Sequence, residues 1–320
     1  MKNEFQNDFN WMLRESKGYF PWLGNNSYRV LKYLFFHIHH KFFPEFYERS
    51  SREVVRLITE EVVCENPLID IFFKSLLRAE IRFISRYVPQ RSNEERLTGN
   101  LVSEIDSSIF LVKEKFSTLS KEIYSEPKAI DFLYYDLSKG GKVEKLNGAD
   151  LAFLLIIDLP DYPKIIKSIV LQAKKINGSV QIDKKQYETL RSHGENECSY
   201  LFYDMDMNSL TSPMILGFED YDFKNKYKES SETKTKSFSI NYQDILDGLP
   251  LSMFLVFRLI DDSVGRKHYS VREALEYFGM LSREKDFADG QPFNGRIGIA
   301  SLGKNININY SNDNIFEIVV

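Results

Sequence analysis

The chain is 320 residues long, 43% hydrophobic and 28% charged, a balance that supports a sizeable folded core and excludes a disordered polymer. Its formal net charge of -4 argues against a surface coated in basic residues for nonspecific nucleic-acid binding, while leaving room for a local basic groove. Two cysteines, Cys64 and Cys198, are too few for a disulfide framework and lack metal-ligand spacing, which points to a reducing compartment.

The first residues, "MKNEFQNDFNWMLRESKG", carry charges throughout and no apolar stretch of the secretory kind, so a cytoplasmic protein is expected. Residues 28–48 and 52–88 read as helices with apolar positions three and four apart, broken at Pro44 and at Asn66-Pro67. Within the first lies "HIHH"; His37 and His40 share a helix face, but with no third ligand in view they read as histidines among core aromatics or near a helix terminus. Residues 93–122 read as one long helix. Leu97, Leu101, Ile105, Ile109, Val112 and Phe116 form its stripe, and Ser92 or Asn93 its N-cap.

The texture then becomes β-rich. "AIDFLYYDLS" is a strand and "KGGK" a turn. "GADLAFLLIIDL" and "IIKSIVLQAKK" form a hairpin about "PDYPK". A helix "KKQYETLRSH" and a strand "CSYLFYDM" follow. Residues 220–237, charged and almost free of aliphatics, read as a flexible loop or insertion. Beyond them "LSMFLVFRLID" is a strand or buried helix, "SVREALEYFGML" a helix, and "GRIGIASL" and "NIFEIVV" strands. The longest apolar run, "ADLAFLLIIDLP", is too short to span a bilayer, so no membrane partner is expected. The order predicts an α-helical N-terminal region, residues 1–90, followed by a mixed α/β (α+β) domain over 91–320.

Within the hairpin, residues two apart share a face. Val170, Gln172 and Lys174 therefore point one way, and Ile169, Leu171 and Ala173 the other, into the core. A turn centred near Asp161 sets Asp150 opposite Gln172, on the same side of the sheet. An acid, an amide and an ammonium then converge at one end of the hairpin. A carboxylate and an amide carbonyl are hard oxygen ligands suited to Mg²⁺. A neighbouring lysine can orient a water or offset charge at phosphorus.

"GAD" followed one hairpin later by "LQAKK" resembles the core of the PD-(D/E)XK, or restriction-endonuclease-like, nucleases. The resemblance implies a restriction-endonuclease-like mixed sheet flanked by helices. Asp150 matches the motif aspartate, Gln172 the variable ligand position and Lys174 the motif lysine. It implies a further glutamate on a helix before the sheet, for which "NEERLTGNLVSEI" offers Glu94, Glu95 or Glu104, with the Glu94/Glu95 pair favoured. It thus implies catalysis by Asp150, Gln172, Lys174 and Glu94 or Glu95, with Mg²⁺ (or Mn²⁺) held by Asp150, Gln172 and Glu95. Two departures stand out: no proline precedes Asp150, and glutamine replaces the usual acid.

The function implied is hydrolysis of DNA, with RNA left open, in restriction or anti-phage defence, by a homodimer or beside a defence-system partner. Lys175, Lys184 and Lys185 are candidates for a phosphate-binding rim. Rival readings are a catalytically silent module of the same fold that grips nucleic acid or protein, and a structural subunit with a helical partner interface. Arg266, Lys267 and His268 read as surface, and Cys64 as a small packing residue.

Overall fold

The computed structural model describes residues 64–87, 92–136, 149–205, 212–218, 220–233, 235–245, 248–260, 264–278, 295–310 and 316–319. The helix expected over 28–48, the three histidines within it and the "KGGK" turn lie outside these residues.

Asn66 starts the first described helix. Its side-chain oxygen accepts the N–H groups of Leu68 and Ile69 at 2.9 and 3.3 Å, and Pro67 fills the first helical position, where a missing N–H costs nothing. Helix α1 (Pro67–Tyr87) follows. Helix α2 (Glu94–Phe110) is capped by Asn93, which accepts the Arg96 N–H at 2.9 Å. The single helix expected over 93–122 is two. After α2 the Val112 N–H bonds to the Ile109 carbonyl, three residues back, at 3.1 Å, tightening the turn. Helix α3 (Lys113–Tyr124) then sets off anew. The break leaves Phe110 and Leu111 exposed while Ile109 and Phe116 both stay buried.

Strand β1 (Ala129–Asp136) precedes the hairpin β2 (Leu151–Ile157) and β3 (Ile165–Ile176). The hairpin register is the expected one, with Leu151 opposite Leu171 and Ala152 opposite Val170. Strand β4 (Ser179–Asp183) leads into helix α4 (Lys184–Arg191) and strand β5 (Cys198–Asp204), which runs parallel to β3. Then come β6 (Met214–Gly217), helix α5 (Tyr221–Glu232), β7 (Ser237–Asn241), helix α6 (Tyr242–Ile245) and β8 (Leu249–Pro250). "LSMFLVFRLID" is helical: α7 (Leu251–Met253) runs into a π-turn over Phe254–Arg258. Strand β9 (Arg266–Lys267), helix α8 (Val271–Tyr277), β10 (Arg296–Gly303), β11 (Asn307–Tyr310) and β12 (Phe316–Val319) complete the set.

The main sheet has the order β1-β10-β2-β3-β5-β6-β8, with β9 added beside the start of β3. It is mixed: β10 runs parallel to β2 and antiparallel to β1. Gly298 lets β10 pass under two rings, for a Cβ there would come within 2.8 Å of Phe132. Both faces of the sheet are buried. Leu151, Phe153, Leu171 and Ala173 pack with α1 and α2, while Ala152, Leu154, Val170 and Phe202 pack with α4, α5 and α8. Helix α1, within residues 1–90 expected to be α-helical, shares its core with the sheet. A buried carboxyl ties it there: Glu80 accepts the Ser252 N–H at 3.1 Å, the Ser212 hydroxyl at 2.9 Å and the Ser252 hydroxyl.

Residues 220–237, expected as a flexible loop or insertion, contain α5 and the start of β7. Aromatics replace the missing aliphatics. Phe223 and Tyr227, one turn apart, both close on Tyr187 of α4, with centroids 5.5 and 4.3 Å away.

Candidate functional site

Where β2 and β10 begin and β3 ends, a cleft of about 440 Å³ opens. Its lining comes from Glu94, Glu95 and Thr98 of α2, Asp150 before β2, Gln172 and Lys174 of β3, Arg296 of β10, and Asp183, Lys185, Gln186 and Thr189 at the far wall. The β-pleat explains the central group. Ala152 and Val170 share one face, and Asp150 and Gln172 continue that face past the last hydrophobic pair.

Asp150 is fixed from several sides. Its N–H donates to the Leu171 carbonyl at 2.9 Å, and its own carbonyl accepts the Arg296 N–H at 3.0 Å. Its Oδ2 accepts the Ala173 N–H at 2.9 Å and an amide N–H of Gln172. Gln172 is only 3% exposed. Its Nε2 also donates to the Ala173 carbonyl at 3.2 Å, and its Oε1 accepts from Gln186 Nε2 at 3.0 Å. Lys174 is half-buried in the cleft wall.

The three candidate glutamates separate. Glu94 Oε1 accepts the Lys175 backbone N–H at 2.9 Å, which ties the start of α2 to the end of β3. Glu95, with its side chain 61% exposed, pairs with Arg296 Nη2 at 2.9 Å. Glu104 is buried outside the cleft, held by Arg82 Nε at 2.6 Å and Arg86 Nη1 at 2.9 Å. The candidate rim lysines separate too. Lys185 lines the cleft, whereas Lys175 Nζ donates to the Ser92 carbonyl at 2.9 Å and Lys184 Nζ to the Ser230 carbonyl.

Sequence reasoning missed Arg296, Asp183, Gln186 and Thr189. Arg296 reaches the cleft because β10 inserts beside β2, a pairing with no local signal. Burial works against its charge, and Tyr134, Asp136 and Glu95 outweigh that, raising its pKa. Asp183 caps α4 by accepting the Gln186 N–H at 3.0 Å; the Asp-x-x-Gln spacing was the available signal. From the cleft lining Thr98 Oγ1 meets the buried Tyr203 hydroxyl at 3.0 Å, and burial pushes that phenol up.

His268, expected on the surface, is buried instead. Its Nε2 lies 2.8 Å from Ser168 Oγ, and burial lowers its pKa to about 4. Cys64 is buried as expected, its thiol pushed up to about 12 by burial.

A divalent cation suits this donor set in a specific sense. The Gln172 amide nitrogen sits between two oxygens, Asp150 Oδ2 and the Ala173 carbonyl. A half-turn of that amide exchanges its nitrogen for its oxygen and would gather three hard oxygens, the kind Mg²⁺ takes together with waters. Among the described residues no group of three or more His, Cys, Asp and Glu side chains is arranged to hold a metal, so the fit depends on amide and carbonyl oxygens. No helix among the described residues is long and apolar enough to cross a membrane. Comparison with protein-family models, curated proteins and solved structures finds no match to this chain.

Proposed function

We propose that the chain is a metal-dependent endonuclease of restriction-endonuclease-like fold that hydrolyses phosphodiester bonds in DNA. What carries the reading is the convergence of Asp150, Gln172 and Lys174 in one cleft with Glu94 and Glu95 beside them. The helix α2 ahead of the β2–β3 hairpin, and the mixed sheet flanked by helices, support the reading.

In this reading Asp150 and Gln172, with the Ala173 carbonyl, would hold Mg²⁺ or Mn²⁺, and the ion would supply positive charge against the scissile phosphate. Lys174 orients a water toward phosphorus and offsets charge on the phosphoryl oxygens. The water oxygen bonds to phosphorus and gives up a proton to solvent, the phosphorus–oxygen bond to the leaving group breaks, and the leaving oxygen takes up a proton from solvent, so the step consumes one water overall. Lys185 and Arg296 flank the strand's phosphates. A cytoplasmic setting, a homodimer able to cut both strands and a role in restriction or anti-phage defence follow by analogy with the family.

A silent binding module is the second reading. It is favoured by the Gln172 amide nitrogen, rather than its oxygen, facing Asp150.

Plasmid DNA incubated with the protein and Mg²⁺ or Mn²⁺ tests the choice. The nuclease reading expects nicking that needs the metal and falls at least about 100-fold in folded Asp150→Ala and Lys174→Ala variants. Metal-independent binding without cleavage, unchanged by Asp150→Ala, would establish the binding module instead.

A further inference from the structure

Gln186 is the third residue of α4, where a glutamine commonly folds back onto the N–H of its own helix cap. Here it reaches out instead. Its Nε2 donates to Gln172 Oε1 at 3.0 Å, while Gln172 Nε2 donates to Asp150 Oδ2 and to the Ala173 carbonyl. The hydrogen bonds therefore run in one direction, from Gln186 through Gln172 to Asp150. Each link dictates the next. Because Gln186 offers N–H, Gln172 presents its oxygen to α4 and its nitrogen to Asp150.

The opposite direction uses the same heavy atoms. Were Gln186 to present its oxygen, Gln172 would turn its amino end to α4 and its oxygen toward Asp150 Oδ2 and the Ala173 carbonyl. Without a cation those three oxygens repel, and with one they bind it. Gln172 is too buried for water to compensate a mismatched amide. The choice between the two directions therefore falls to its protein neighbour.

We propose that Gln186 is a positioning residue: it sets the direction of this amide chain, and through it the affinity of the Asp150–Gln172 pair for a divalent cation. The proposal rests on the reading above that the pair takes one.

Calorimetric titration of the full chain with Mn²⁺ tests it. Gln186→Glu can only accept, so it should turn Gln172 and tighten Mn²⁺ binding about tenfold, the scale of outer-shell effects. An acid at this helix position is well tolerated. In a Gln172→Glu background both ends at position 172 are oxygens, no orientation remains to be set, and the gain should vanish. A gain of equal size in both backgrounds would be a charge effect and would overturn the proposal, as would unchanged affinity in Gln186→Glu. Asp150→Ala separates the two levels. If the wild type binds Mn²⁺ no better than Asp150→Ala, the metal reading itself falls and the proposal with it. If Asp150→Ala loses binding while Gln186→Glu leaves it unchanged, only the role of Gln186 falls.

Discussion

Glu94 and Glu95 are adjacent in sequence yet have different employments. Glu94 closes on the backbone at the end of β3, beside Gln172 and Lys174, whereas Glu95 leans outward to Arg296. If the chain is the nuclease proposed above, Glu94→Ala should lower metal-dependent cleavage by more than about tenfold, and Glu95→Ala by less than about threefold. Cleavage rates of the two folded variants, measured side by side, check this; the reverse ranking would make Glu95 the ligand. The central trio was legible because a strand's period of two and one short turn set both its face and its register. The order of Glu94 and Glu95 was not, since both lie in the first turn of α2 and only the arrival of Arg296 from a distant strand distinguishes them. Gln172 was legible as a face and not as a bond, because its amide partner sits on the helix that follows the next strand.

Two buried ionisable groups lie on elements packed against opposite faces of the sheet, and they respond oppositely to pH. His268, between β9 and α8, has its pKa lowered to about 4 by burial, with Glu273 and Arg266 as its charged neighbours. The unfolded chain takes up that proton first, so stability falls as pH drops from the ordinary 6.5 toward 4. Glu80 on α1 has its carboxyl raised to about 7 by burial, against the pull of its serine hydrogen bonds. The folded chain keeps that proton longer, so stability falls as pH rises from 4.5 toward 7. Melting temperatures across pH 4.5–6.5 should thus rise with pH in Glu80→Gln and fall with pH in His268→Gln, about a flatter wild-type profile. Parallel profiles in all three would refute both assignments. Elements with regular apolar spacing were readable: α2's stripe and both hairpin strands stand where expected. Helix α5 was not, because its burial comes from Phe223 and Tyr227 in an otherwise polar run, and the pair becomes visible only against Tyr187. The break between α2 and α3 was hidden because the apolar stripe continues across it to Phe116.

The sheet is covered on both faces, and successive residues of β2 enter different cores. Leu154→Ala and Leu155→Ala, one in each, should each cost about 2–5 kcal/mol in urea unfolding; a negligible cost for either would mean that one face is open. The mixed α/β class was legible from helices followed by strands, but the strand order was not. It joins β1 to a strand that follows it by about half the chain. That order has a consequence for how the protein is made. Strand β10 fills the gap between β1 and β2 and brings Arg296 to the cleft. A ribosome that has not yet passed residue 303 has released two strands lacking the neighbour each requires, their edges open to other chains. Until then the cleft lacks one wall and Asp150 lacks the N–H that its carbonyl accepts. A message cut short upstream of β10 would yield a chain that carries the central trio of residues and never finishes the cleft around them.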